Sequence, residues 1–353
     1  MNFPLFCTKT PGVARQFDLI DPAQRQEYFQ AKAGPEIKKI REFLAAKNTF
    51  IAYLLAKKQA GKGTYSKLFI DAIGEKYTEH LSVGDIVRMV DEELQNKKAK
   101  KELVSYLESN YRGFLSVEEV IAAHGKRSVK TLLPTEFILA LVRREIERRG
   151  RKALFLDGFP RGLDQVSYSL FFRNLVGARD DLDFFVLIDV PREVIHERLK
   201  NRVICPKCQT SRSLKFGITK KVGFDEKKKE FYLLCDNPLC QEIRMVPKES
   251  DSLGIEAIRE RLESDHELLQ KALSLYGIPK ILLRNSVPIS EAKKWVDDYE
   301  ITPESVFSFD KKTKEVKVEK RPWVIKDDNG VPSYSLLPAP VVISLLKQIA
   351  ELT

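Results

Sequence analysis

Apolar and polar positions change rhythm along the chain, and the first stretch, up to about Asn48, has helical spacing. Asp21-Pro22 predicts a helix start, with the carboxylate as cap and proline in the first turn. Gly34-Pro35 breaks that helix, and Ile37, Ile40, Phe43 and Leu44 give a second helix an apolar stripe. The expectation is a helical extension packed on the main body; an interaction arm is the alternative. From Thr49 strands alternate with helices. Phe50–Leu55 is a continuous apolar run that reads as a buried strand, followed by a glycine-rich turn and a helix. Ala153–Leu156, ending at Asp157, is a second strand; Phe184–Ile188, ending at Asp189-Val190-Pro191, is a third; Lys280–Leu283 is a fourth. Apolar strands separated by helices predict a parallel sheet covered on both faces, with catalytic groups at the carboxyl ends of the strands.

Two stretches interrupt this pattern. Residues 81–132 are helical and charged, with Lys97–Lys101 as a solvated face. Residues 203–250 contain two close cysteine pairs and a polar tip, Asp225–Glu230, that reads as a hairpin turn. Beyond about Ile301, the alternation around Val316 and then Asp328-Asn329-Gly330 predict a small β-hairpin, followed by a helix from about Pro340. The length of 353 residues fits two domains, or one enlarged by insertions. With 43% hydrophobic and 31% charged residues, the composition is that of a globular protein. No apolar run approaches the roughly 18 residues of a membrane span, and Met1–Gly12 lacks the shape of a secretory signal. Sixty basic against fifty acidic residues leave a charge of +10, a bias toward anionic partners. Five cysteines are too few for a disulfide scaffold, and their pairing favours a metal.

After the first strand comes Ala56-Lys57-Lys58-Gln59-Ala60-Gly61-Lys62-Gly63-Thr64. A strand, loop and helix of this kind surround a polyphosphate with backbone N–H groups and a helix N-terminus. Lys62 is placed to reach the outer phosphates, and Thr64 to offer a hydroxyl to magnesium or a phosphate. Further on stand His80-Leu81-Ser82-Val83-Gly84-Asp85-Ile86-Val87-Arg88, then Leu133-Pro134-Thr135-Glu136, then Leu156-Asp157-Gly158-Phe159-Pro160-Arg161 with Gln165 four places on. In this order, over about residues 49–295, the sequence resembles the adenylate kinase family of nucleoside monophosphate kinases.

The resemblance implies an α/β fold: a three-layer α/β/α P-loop NTPase-type parallel sheet with two mobile inserted subdomains, a helical NMP-binding flap and a small β zinc lid. It divides the chain into a helical extension (1–48), a core (49–80, 133–202 and 251–300), the NMP-binding insertion (81–132), the lid (203–250) and a C-terminal extension of hairpin plus helix (301–353). It implies that Ala60, Gly61, Lys62, Gly63 and Thr64 hold ATP phosphates, that Arg198 stacks on the donor adenine, and that Arg202 clamps the transferring phosphoryl. Ser82, Val83, Arg88, Gly158, Arg161 and Gln165 match the AMP site, and Arg261 matches another clamp. Asp85 and Asp157 match carboxylates that organise magnesium-bound water.

The chain departs from the family pattern at several points. Ala56 and Gln59 replace glycines, and a β-carbon where φ must be positive would cost about 1–2 kcal/mol. Lys248 stands where an arginine precedes Asp251, keeping the charge without the fork, and Val83 replaces a threonine beside the acceptor base. Cys205-Pro206-Lys207-Cys208 and Cys235 to Cys240 bracket a basic stretch, and two thiolate pairs on facing turns can close a tetrahedral zinc site. Free reduced thiols are the other reading; the family's zinc-bearing lids favour a structural metal, with Cys7 left over. The expected reaction is ATP + AMP ⇌ 2 ADP, with magnesium, in a cytoplasmic monomer without membrane contact. The alternatives are a kinase for UMP or CMP, or a weakened nucleotide- or nucleic-acid-binding protein on the same fold. Scattered aromatics argue against nucleic acid.

Overall fold

A computed structural model describes residues 3–13, 15–125, 133–162, 181–248, 251 and 254–353. Helix α1 (Pro22–Ala45) opens on Asp21, whose carboxylate accepts the Gln24 N–H at 2.8 Å. The span is two helical halves joined across a kink at Ala33, beside Gly34-Pro35 where the sequence places the break, and Ile37, Ile40 and Leu44 of the second half are buried.

Strand β1 (Phe50–Ala56) leads through the phosphate loop into α2 (Lys62–Ile73) and β2 (Thr78–Ser82). Helices α3 (Val83–Gln95), α4 (Lys97–Asn110), α5 (Val117–Gly125) and α6 (Thr135–Arg149) follow, then β3 (Ala153–Asp157), β4 (Leu182–Asp189) and α7 (Arg192–Lys200). The cysteine region holds β5 (Arg202–Ile204), β6 (Ser211–Ser213), β7 (Val222–Asp225), β8 (Glu230–Leu233) and β9 (Val246–Pro247). After α8 (Arg259–Ser274) come β10 (Lys280–Arg284), β11 (Ser286–Pro288) and α9 (Ile289–Trp295). Two antiparallel ribbons, β12 (Pro303–Asp310) with β13 (Glu315–Pro322) and β14 (Val324–Lys326) with β15 (Pro332–Ser335), precede α10 (Pro338–Leu352).

The central sheet is parallel, in the order β10-β4-β1-β3-β2. Alternation along the strands divides two apolar layers. Phe50, Ala52 and Leu54 face α1, α2 and α10, whereas Ile51, Tyr53 and Leu55 face α6 and α8. This is an α/β fold with helices on both faces, as the apolar strands predict. The sequence reading has four strands and the sheet has five: β2 is a half-polar edge strand, Thr-Glu-His-Leu-Ser, without the apolar signature. Helix α10 packs on α1, α2 and β10, with Val342, Ile343, Leu345, Leu346 and Ile349 fully buried, so the tail ends inside the main core. The tail carries a second ribbon beyond the single hairpin expected, and its Asp327–Gly330 turn closes that ribbon.

The first tail ribbon lies against the cysteine region. Phe309 stacks on Phe224 with ring centroids 4.4 Å apart, Phe307 on Phe231 at 5.2 Å, and Trp323 meets Phe216 at 3.9 Å. Ser305 donates its N–H to the Lys215 carbonyl at 2.9 Å, and the Lys215 ammonium lies 2.8 Å from Glu197 and 3.3 Å from Glu304. Among the described residues, no helix is long and apolar enough to cross a membrane.

Candidate active site

The phosphate loop hangs from the carboxyl end of β1, at the centre of the sheet, and ends at the N-terminus of α2. Gly61 adopts φ +97° and Gln59 φ +67°, while Ala56 is ordinary strand. The steric cost expected of a β-carbon therefore falls on Gln59 alone of the two departures. Lys62 folds back so that its ammonium donates to the Ala56 carbonyl at 3.2 Å and stands 3.7 Å from an Asp157 oxygen. Ala60 is buried under the loop, and a β-carbon on Gly63 would meet nothing within 4 Å. Thr64 is exposed beside the loop.

Cations collect on both sides of this loop. On one side, Arg88 Nη1 and Arg161 Nη2 lie 3.8 and 4.0 Å from the point where a β-carbon on Gly84 would sit. Gly158, at φ +90°, brings Arg161 Nη2 within 3.2 Å of its own missing β-carbon. Both glycines thus make room for guanidinium heads. Burial and then the charge of Arg261 pull the Arg161 guanidinium below its usual range, against Asp157 and Asp265. Arg161 and Arg261 therefore repel each other in a partly desolvated space, and an anion between them relieves both. Arg261 Nε bonds Asp265 at 2.9 Å, and the other Asp265 oxygen accepts the Lys58 N–H at 2.8 Å, so Arg261 is tied through Asp265 to the loop backbone.

On the other side, Arg202 grips Asp251 with Nε and with Nη2, the latter at 2.6 Å, and Nη1 donates to Gln59 Oε1 at 3.3 Å. Arg198 stands near the buried Tyr65, whose phenol is pushed up by burial and pulled down by that arginine. Arg198, Arg202, Gly61 and Thr64 share a cavity of about 650 Å³ whose outer wall includes Ile20 and Trp323.

The remaining expected residues are placed as follows. Ser82 caps α3, accepting the Asp85 N–H at 3.3 Å, and Val83 is buried against Gly158. Asp157 lies at the end of β3 beside Lys62, whereas Asp85 is exposed and turned to Arg88. Lys248 is exposed and its carbonyl accepts the Asp251 N–H at 2.9 Å. Gln165 lies outside the described residues. Two neighbours join the site that no motif assigns, Asp265 and His80. Asp265, one helical turn past Arg261, carries a spacing signal. His80, inside the quoted motif, bonds Ser66 Oγ through Nδ1 at 2.8 Å, and burial lowers its pKa despite Asp157.

The four cysteines Cys205, Cys208, Cys235 and Cys240 bring their sulfurs within 4.8 Å of one another. Tetrahedral zinc, with Zn–S near 2.3 Å, spaces its sulfurs by about 3.8 Å, and Cys208 and Cys235 stand 3.7 Å apart. The Cys208 N–H points to Cys205 Sγ at 3.5 Å, as in a metal-binding turn. Hydrogen bonding with Thr210 brings the Cys208 thiol down to about 6, while burial among the other sulfurs pushes Cys240 up to about 12. A soft divalent cation at the centre removes that conflict, and all four ligands come from protein, which leaves no open catalytic position. The donor set fits zinc.

No family model matches the chain. An adenylate kinase of Clostridium acetobutylicum is 32% identical over 189 residues, 53% of this chain and 72% of that protein. An adenylate kinase of Thermotoga neapolitana is 30% identical over 237 residues, covering 66% of this chain and 89% of that protein, and one of Clostridium tetani is 30% identical over 234 residues. Similarity over nearly the whole of such relatives, joined to a phosphate loop flanked by arginines on a parallel sheet, places the chain in the adenylate kinase family, as a nucleoside monophosphate kinase.

Proposed function

We propose that this enzyme catalyses ATP + AMP ⇌ 2 ADP with magnesium, as a cytoplasmic monomer. The observation that carries the reading is the approach of Arg88, Arg161 and Arg261 on one side of the loop, with Arg198 and Arg202 on the other. Transfer between two anions needs charge neutralised on both oxygens and held in line, and fixed guanidinium forks supply this. The donor phosphates lie in the loop from Ala60 to Thr64 under Lys62, with the base toward Arg198. AMP occupies the space lined by Ser82, Val83, Gly158, Arg88 and Arg161, with Gln165 as the sequence-assigned reader of its base. Asp85 and Asp157, with the Thr64 hydroxyl, are hard oxygen donors of the kind magnesium takes, directly or through water. Magnesium neutralises phosphate oxygens; this chain supplies position, and its arginines meet charge as the phosphoryl group moves.

An ADP-production assay with AMP, UMP and CMP tests this. AMP should be phosphorylated fastest, and Lys62→Ala should lower that rate by about 10² or more. Faster turnover of UMP or CMP would reassign the acceptor, for which Val83 beside the base leaves room. No turnover with any of them, joined to nucleic-acid retention at about 200 mM salt, would favour the binding-protein alternative.

A further inference from the structure

Lys57 is a phosphate-loop residue with no access to phosphate, because its side chain is wholly buried behind the loop. A buried ammonium persists only when paired and hydrogen-bonded. Here Nζ donates to the Asp328 carboxylate and to the Val190 carbonyl at 3.1 Å, and stands 3.8 Å from Asp189 Oδ1. The partner comes from far along the chain: Asp328 sits in the turn between β14 and β15.

That turn is itself fastened at several points. One Asp327 oxygen accepts the N–H groups of Asn329 and Val331, both at 2.9 Å, and the other takes Arg284 Nη2 at 3.0 Å, at the end of β10. The Lys326 N–H donates to Glu193 at 2.6 Å. The second Asp328 oxygen accepts the Arg192 N–H at 2.7 Å, the first residue of α7, the helix that carries Arg198. One carboxylate thus holds the entrance of the phosphate loop and the root of the helix bearing a donor-side arginine. On the loop's next residue, Asp265 holds the Lys58 N–H.

We propose that Asp328, acting through Lys57, is a positioning residue for the donor phosphate site, so that the tail ribbon β14–β15 is part of the catalytic scaffold. The inference rests on the donor-site assignment made above. Without the carboxylate, the start of the loop at Lys57 and the first N–H of α7 lose their shared anchor, and each is released to shift from the other. The acceptor arginines Arg88 and Arg161 stand on α3 and after β3, whereas among the described residues the Asp328 carboxylate bonds Lys57 and Arg192.

Calorimetric titration of the full chain with ATP, and separately with AMP, tests the assignment. In Asp328→Asn, ATP affinity should fall by about tenfold or more while AMP affinity stays within about twofold, since a displacement of about 1 Å suffices for such losses. Because a stranded lysine can also impair folding, the paired neutral variant Lys57→Met with Asp328→Leu removes both charges; it should show the same ATP-selective loss. Unchanged ATP affinity in either variant, or equal losses for both nucleotides, would overturn the inference while leaving the donor site in place. A parent chain that binds neither nucleotide would overturn the donor-site reading and this inference with it.

Discussion

On each face of the central sheet many apolar side chains meet, from Phe50, Phe155 and Phe184 on one side to Tyr53, Leu156 and Phe185 on the other. The cysteine region, among its described residues, buries Val203, Leu233 and Met245 beside its own cysteines and little else. Burial of apolar area at roughly 25 cal/mol per Å² suffices for the first region, whereas the second is too small to fold on that account. The cysteine region has two other devices: four sulfurs gathered as a metal would need them, and the aromatic stacking of Phe224 and Phe231 on the tail ribbon. Thus the same chain contains a region held by solvent exclusion and one whose small core leaves its four sulfurs and its bracing to hold it. Each should fail under different conditions.

The largest contrast lies in metal removal. Zinc in small cysteine sites contributes about 10–16 kcal/mol of apparent binding energy, so a strong chelator, or Cys240→Ser, should unfold residues 203–248 and leave the sheet intact. Limited proteolysis should then cut within the lid, and ATP affinity should fall with AMP affinity retained; a protease-resistant lid without metal would erase the distinction. Bracing is the next effect in size. Phe224→Ala, Phe309→Ala and the double variant form a cycle in which the stacked pair should show coupling of about 1 kcal/mol. Lid opening, followed by the rate of metal loss to a chelator, reads it out. Additive effects would mean that the ribbon merely lies beside the lid. The smallest effect concerns Gln59, which has a left-handed backbone and whose side-chain oxygen meets Arg202. Gln59→Gly should relieve strain, raising unfolding stability by about 1 kcal/mol or less, yet slow phosphoryl transfer a few-fold because Arg202 loses an orienting partner. A more stable variant with undiminished turnover would show that contact to be idle.

The parts held by burial were the parts legible in sequence. Phe50–Ala56 announces itself because both of its faces are covered, so every position is apolar, and Phe184–Ile188 within β4 does the same. β2 escapes notice because an edge strand tolerates Thr78, Glu79 and His80. Helix α10 has an apolar pattern, but nothing local says that it packs against α1 and α2. Within the site, the motif residues Lys62, Arg88, Asp157 and Arg161 are readable as spacing. Lys57 is not: a lysine in a basic loop reads as solvated, and only the fold brings Asp328 against it. Gln59 lies between these cases, since its departure from glycine is visible while its hold on Arg202 is not. Long-range pairing of charges leaves no periodic trace in a chain, whereas apolar burial does.

The position of α10 has a consequence for how the molecule is made. During synthesis α1 and α2 leave the ribosome early, yet the layer they share with β10 is not completed until residues near 346 have been added. Helices α3 to α5 and strands β5 to β9, built from neighbours in the chain, can take shape while translation continues; the sheet must wait. Chains stalled before Pro338 should therefore present a sticky apolar face to chaperones, and a reporter fused after Thr353 should respond to completion of this layer.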